Sequence, residues 1–331
     1  MHNILIFFCA HFKLLATGQK SIAKKNPKCY NDRRIQKTQI AYFVQTNKTI
    51  ALYFTKGGLR MTEFIKVILL GIIEGITEFL PNSSTGHLII AHEFFATDTS
   101  SAFYEMFDVV IQLGAILAVI FLYFNKLNPF APSKGTDEKR ATWKIWFRVL
   151  IACLPAGIIG VLLNDWMDQH FFNFPTVICT LFIYGVLFIL IENKNKNKTP
   201  SISSFSALSY KTAFYIGIIQ CLSIIPGTSR SGSTILAAIL LGCSREIAAE
   251  FSFFLSIPIM FGASTIKLLD FGFNFTRTEL WLLITGTAVS FGVSLLAIRF
   301  LMNFVKKHNF AGFGVYRICL AALLLVYHLS K

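Results

Sequence analysis

The sequence predicts an all-α polytopic membrane protein, with six spanning helices plus two re-entrant helix–loop–helix hairpins in an inverted-topology repeat. Three observations predict it. The chain is 54% hydrophobic and only 15% charged. Apolar runs such as "VVIQLGAILAVIFLYF" and "TVICTLFIYGVLFILI" recur along most of its length. A run approaching ~20 residues spans the ~30 Å hydrocarbon core as a helix. Finally, two apolar elements of about 12 residues, too short to span, each follow a partner across a Pro/Ser/Gly break.

From Met61 ten apolar elements follow, at about 62–80, 84–96, 103–124, 143–163, 174–192, 211–225, 231–242, 246–269, 279–304 and 312–330. The first and second meet at "PNSST", the sixth and seventh at "PGTSRSG". Non-helical backbone at membrane depth is tolerated where it lines protein or a water-filled cavity, so each pair reads as a re-entrant hairpin. "NKLNPFAPSKGTDEKRATWK" sets the third element apart from the fourth, and "NKNKNKTPSISS" the fifth from the sixth.

The hairpins resemble each other. Shifted by 146 positions without a gap, "GIIEGITEFLPNSSTGHLIIA" lies over "GIIQCLSIIPGTSRSGSTILA". Identities include Gly71/Gly217, Ser83/Ser229 and Gly86/Gly232. Three spanning elements, an odd number, separate the copies, so the second hairpin enters from the opposite face. That is the architecture in which broken helices meet near the midplane and form a site. The Lys/Arg-bearing segments 125–148 and 193–211, and the turn carrying Arg299, Lys306 and Lys307, then fall on one side. By the positive-inside rule that side is the cytoplasm. "NDWMDQHFFN" and "ATDTSSAF", without Lys or Arg, fall outside, and Arg277 is the exception there.

The net charge of +14 does not describe a nucleic-acid-binding surface, because residues 1–60 hold eleven Lys/Arg and one acid. That segment has its apolar part before its basic part, the reverse of a secretory signal. It is expected to be a basic leader outside the native fold, with Met61 as the start. Residues 61–331 are then one membrane domain with repeats at about 61–192 and 211–331. The seven cysteines show no metal-ligand spacing and no disulfide framework.

Glu74 and Glu78 are i, i+4, so a helix puts both on one face. Two adjacent carboxylates in low dielectric repel unless a cation sits between them. Mg²⁺ and Ca²⁺ choose oxygen ligands and join carboxylates to phosphate oxygens. The structural alternative is a protonated pair bonded to neighbouring helices. Ser83, Ser84 and Thr85 are placed to cap the next helix, whose free N–H groups favour an anion. His87 lies three residues after Ser84, close enough on one turn to take a proton from its hydroxyl or give one to a leaving group. In "PGTSRSGST" the glycines, Gly232 among them, allow close backbone approach. The hydroxyls of Ser229 and Ser231 donate, and the Arg230 guanidinium grips phosphate in a fork. The anion that Arg230 needs is either the Glu74/Glu78 face or a bound phosphate. Glu105, Gln112 and Glu250 are second-tier supports, while Arg245 and Glu246 mark a helix end. Two acids suited to a metal, a hydroxyl–histidine pair and a cradled arginine together describe a phosphoanhydride or phosphoester site inside the bilayer.

"EGITEFLPNSSTGH" at 74–87, "PGTSRSGST" at 226–234, "FDVVIQLGAILAV" and "EFSFFLSIP" closely resemble the bacterial undecaprenyl-diphosphate phosphatase family, the bacitracin-resistance type. The resemblance covers essentially all of 61–331 and none of 1–60. It implies hydrolysis of undecaprenyl diphosphate to undecaprenyl phosphate and inorganic phosphate, recycling the lipid carrier of cell-wall synthesis. It also implies a divalent cation (Mg²⁺ or Ca²⁺), multi-pass residence in the bacterial cytoplasmic membrane, and a site facing the outer side. Family roles transfer onto Glu74 and Glu78 as metal- or water-handling acids, Ser84 as nucleophile, His87 as acid/base and Arg230 as phosphate clamp. Whether Ser84 or a metal-activated water attacks stays open. Asn82 stands where many relatives carry Val, outside the chemical set. The partners expected are the lipid diphosphate and the bilayer, with a homodimer as the protein–protein option and no nucleic acid.

Two other function classes share parts of this pattern. A type-2 phosphatidic-acid phosphatase needs a further His with an Asp four residues on, and neither His308 nor His328 has one. An undecaprenyl-phosphate flippase fits broken helices equally well, but a carrier needs no nucleophile with an acid/base partner.

Overall fold

The computed structural model describes residues 62–95, 102–171 and 173–330. The chain divides into two units, Met1–Glu63 and Phe64–Lys331, and the fold is that of the second. The leader expected over 1–60 lies outside the described residues. In order come α1 (62–77), α2 (Ser84–Phe95), α3 (Ala102–Val110), α4 (Gln112–Leu122), α5 (Thr136–Phe171), α6 (Phe174–Asn195), α7 (Tyr210–Gln220), α8 (Arg230–Leu240), α9 (Arg245–Phe271), α10 (Arg277–Val305) and α11 (Ala311–Ser330). Among the described residues the only β-type pairing is an isolated bridge between Ile202 and Cys243. Among the described residues six segments are long and apolar enough to cross a membrane: α3 with α4, α5 as far as Leu163, α6, α9, α10 and α11. Phe121, Val161, Leu162, Leu323 and Val326 stand exposed on them, as suits helices whose solvent is lipid.

Most expected bounds agree with the observed ones to within a few residues. The fourth element differs most, because the expected 143–163 is a helix from Thr136 to Phe171. Asp137 and Glu138 in its first turn complement the helix dipole, which favours the earlier start. At the other end "NDWMDQHF", expected as a loop, contains neither Pro nor Gly and stays helical. The Asn173 side chain then caps α6, accepting from the Thr176 N–H at 2.9 Å. "ATDTSSAF" lies largely outside the described residues.

α6 packs on α11, α4 on α10, and α7 on α5. Without a hydrophobic drive between helices in lipid, close approach comes from small residues. A Cβ built on Gly71 would lie 2.7 Å from the Gly286 carbonyl oxygen, and one on Gly75 would lie 2.8 Å from that of Ser290. On α4, a Cβ at Gly114 would meet the Thr287 carbonyl at 2.2 Å. One face of α10 therefore receives both α1 and α4. Gly75→Leu is expected to destabilise the detergent-solubilised protein by about 1–3 kcal/mol, the cost of overpacking. Gly262→Leu, where a Cβ meets nothing within 4 Å, should leave it unchanged. Thermal unfolding of the two variants side by side checks this.

One end of the bundle gathers several connections. Lys126 pairs with Glu250 and lies over the Phe205 ring. Arg148 Nε donates to the Leu208 carbonyl at 2.5 Å, and Ile202 bridges to Cys243. Arg245 holds the buried Glu192 carboxylate through Nε at 3.0 Å and Nη2 at 2.5 Å, while the Phe310 N–H donates to the same carboxylate at 3.0 Å.

Candidate active site

Both breaks are built the same way. α1 ends at residue 77, Pro81 removes a backbone donor, and α2 starts at Ser84. Between them Ser83 takes φ 72°. At the second break a 3₁₀ turn over Cys221–Ile224 runs into Gly227 at φ 84° and Ser229 at φ 73°. Ser83 and Ser229 are the only non-glycine residues with positive φ among those described, and they are 146 positions apart. The left-handed region costs a residue with a Cβ roughly 1–3 kcal/mol. Local bonds offset that cost. Ser83 Oγ accepts from the Gly86 N–H at 3.3 Å, and Ser229 Oγ from the Gly232 N–H at 3.0 Å. In both, the left-handed serine turns the chain so that the next residue, Ser84 or Arg230, begins the following helix.

Glu78 is where the two breaks meet. Ser84 Oγ donates to its Oε2 at 2.5 Å, and Arg230 Nη2 donates to its Oε1 at 2.7 Å. Ser231 Oγ reaches back to the Glu78 carbonyl at 3.0 Å. Arg230 is further held through Nη1 on the Ser252 carbonyl at 2.6 Å, and its Nε has no protein partner. Those two bonds use one N–H from each terminal nitrogen and fix the plane, and the Nε–H is among the donors left for an incoming acceptor.

Glu74 is fully buried, and neither of its oxygens has a hydrogen-bond partner. It lies in electrostatic range of Glu78, Arg230 and Asp108. Buried carboxylate oxygens without donors require a proton or a cation. Among the described residues no group of three or more His, Cys, Asp or Glu is gathered to hold a metal ion, so Glu74 can meet that need with a proton shared with Glu78 or as one oxygen ligand of a hard divalent ion. Each Glu78 oxygen already accepts one hydrogen bond, which makes it the lesser donor. Asp108 Oδ1 and Asn82 Oδ1 are also buried without partners.

The expected bond between Ser84 and His87 is not formed. Ser84 turns to Glu78 instead, because the left-handed Ser83 swings the start of α2 toward the end of α1. His87 Nδ1 meets the Ser83 carbonyl at 2.7 Å, and Nε2 meets the Tyr316 hydroxyl at 2.8 Å, the two rings stacked at 5.8 Å. A carbonyl only accepts, so Nδ1 carries the proton. In neutral His87, Nε2 therefore accepts from Tyr316. Of the expected substrate-binding set, Ser83 and Ser229 cap, the Gly232 N–H donates to Ser229 Oγ within its own break, and Ser231 joins the two breaks through the Glu78 and Leu80 carbonyls. Thr85 is half-buried on the first turn of α2. Glu250 is taken by Lys126 and Arg245 by Glu192. Glu105 is exposed on α3, and Gln112 is half-buried at the start of α4.

Sequence reasoning missed three groups. His92 Nε2 meets Asp108 Oδ2 at 2.7 Å. Tyr316 orients His87. The adjacent Arg317, wholly buried, bonds to carbonyls of both breaks. A lone arginine within the apolar "GVYRICLAALLL" was the available signal, since an ionisable residue inside a span marks function by default.

Residues 67–323 match the family described as bacitracin resistance protein BacA. An undecaprenyl-diphosphatase of Acetivibrio thermocellus is 56% identical over 270 residues, 82% of this chain and 99% of its own length. That of Enterococcus faecalis is 55% identical over 267 residues, 80% and 97% of the two chains. That of Desulfitobacterium hafniense is 54% identical over 274 residues, 82% and 99%.

Proposed function

Because the chain belongs to the bacitracin resistance protein BacA family, we propose that it is an undecaprenyl-diphosphatase that regenerates the monophosphate carrier of cell-wall synthesis and confers bacitracin resistance. The observation that carries the chemistry is Glu78, bonded at once to the Ser84 hydroxyl and to Arg230 across the two breaks.

Ser84 Oγ attacks the terminal phosphorus of the diphosphate, and its proton passes to Glu78 Oε2. The bond to the bridging oxygen breaks, and undecaprenyl phosphate leaves. Water then attacks the phosphoseryl group, and inorganic phosphate departs as Ser84 regains its proton. Arg230 Nε faces the phosphoryl oxygens, where a guanidinium stabilises developing charge. His87, its Nδ1 proton fixed on Ser83, handles the proton of the leaving group or of the attacking water. A divalent cation held on Glu74 would neutralise phosphate oxygens and balance that carboxylate.

The architecture we infer is an inverted repeat of re-entrant hairpins. Ser83 and Ser229 share a left-handed geometry at equivalent positions. Gly71 of α1 approaches α10, and its counterpart Gly217 of α7 approaches Ala152 of α5. Gly185 of α6 and Gly314 of α11 approach each other's carbonyls, as a pseudo-two-fold pair would. The connections gathered at one end carry Lys126, Arg148 and Arg245, which supports a cytoplasmic assignment there and a site open to the outer side.

The test is phosphate release by purified protein. Turnover of undecaprenyl diphosphate is expected with Mg²⁺ or Ca²⁺, to be abolished by EDTA and restored on adding the metal back. Full turnover in EDTA would overturn the cation role. Translocation of lipid phosphate in vesicles without hydrolysis would favour a flippase instead.

A further inference from the structure

Breaking a helix inside a membrane frees carbonyls that neither water nor a helical N–H satisfies. At this site the carbonyls of Pro81, Gly227 and Thr228 are satisfied by one side chain. Arg317 Nη1 donates to Pro81 at 2.9 Å, and Nη2 donates to Gly227 at 2.7 Å and Thr228 at 3.1 Å. These acceptors lie 236, 90 and 89 residues away along the chain. The guanidinium rests over the Tyr184 ring, 5.5 Å from its centroid. A Cβ on Gly232 would come within 3.3 Å of Nη1. Among the described residues no carboxylate pairs with Arg317.

A buried charge without a counter-ion is a poor device for holding helices together, since apolar packing does so without the desolvation penalty. What the guanidinium adds is a rigid plane of donors at fixed angles. One edge of that plane sits three residues before Ser84, and the other sits two residues before Arg230. We propose that Arg317 is a positioning residue that holds the two site loops in register, so that Ser84 and Glu78 from one meet Arg230 from the other. It touches neither substrate nor the reacting atoms. The inference rests on the reading that those three residues carry the chemistry.

Arg317→Lys keeps the charge and loses the fork, Arg317→Gln loses both, and Tyr184→Leu loosens the guanidinium from behind. Arg148 supplies the comparison. It too is buried, bonding carbonyls of Leu208 and Lys144 at 2.5 and 3.1 Å, but at the gathered end of the bundle. The rate constant and KM on undecaprenyl diphosphate are measured per folded molecule, with the folded fraction taken from thermal unfolding. Arg317→Lys is expected to lower kcat by about tenfold or more, since small misalignments of reacting groups have effects of that order, while KM moves by less than about threefold. Arg317→Gln should do no better, and Tyr184→Leu should lose kcat several-fold. Arg148→Lys should lose stability alone.

Wild-type kcat in folded Arg317→Lys overturns the proposal, as does an equal kcat loss in Arg148→Lys. If Arg317→Lys fails to fold, Tyr184→Leu decides, and an unchanged kcat there overturns it. Full activity of Ser84→Ala and Arg230→Ala would instead remove the reading of the site on which this rests.

Discussion

Ser84→Ala is expected to lower single-turnover phosphate release by about 10³-fold or more, the scale on which a nucleophile and its base act as a unit. Three features converge on this hydroxyl. It opens α2, where free N–H groups favour a phosphoryl group. It is aimed by a left-handed Ser83 at φ 72°, strain of the kind found at reacting residues. It already donates its proton in a hydrogen bond to a carboxylate oxygen, 2.5 Å away. Ser84→Cys retains a nucleophile of different size and basicity and should keep measurable turnover above the alanine variant. Rapid quench with a terminally labelled diphosphate should trap label on the wild-type protein and none on Ser84→Ala. A normal rate for Ser84→Ala would transfer the attack to water, leaving Ser84 as a donor that orients Glu78.

The charged residues that lie together at the two breaks were legible because charge stands out against an apolar background. Glu74, Glu78 and Arg230 each violate the composition of the segments they occupy, and the 146-residue echo joined those segments. What sequence did not give was direction. Spacing on a helix pairs Ser84 with His87, yet a single positive φ at Ser83, invisible in a serine's identity, redirects Ser84 to a residue before the break. His87 finds Tyr316 from the far end of the chain. Arg317 stood out as a charge in an apolar run, but what it binds did not. Its acceptors are backbone carbonyls, which carry no residue signature. Ser231 and Gly232 were legible as a phosphate cradle by composition, but not the bonds they make here, Ser231 Oγ to the Glu78 carbonyl and the Gly232 N–H to Ser229 Oγ. The extension of α5 to Phe171 was missed because hydropathy marks where a helix leaves the membrane, and not where it stops.

Glu78→Gln and Arg230→Ala should each reduce kcat/KM by about 10³-fold, and the double variant should be little worse than either. Removing one partner of a buried pair leaves the other charge uncompensated, a cost of about 3–5 kcal/mol. The pair is buried, with side-chain exposures of 10% and 4%, so water cannot take over the missing partner's role. Two groups acting through a single contact give strongly non-additive losses. Additive losses would mean that Arg230 serves the phosphate and Glu78 serves Ser84 independently. Arg230→Lys sharpens the distinction, because it keeps the charge opposite Glu78 but cannot also donate to Ser252 and to a phosphoryl oxygen. Stability close to wild type with activity as low as the alanine variant would assign the fork to the transition state. Recovery of most of the activity would reduce Arg230 to a counter-charge for Glu78. The same series separates Glu74 from Glu78. Glu74→Gln keeps the shape and removes the charge beside Glu78 and Asp108, so it should spare thermal stability while raising the cation concentration needed for half-maximal turnover.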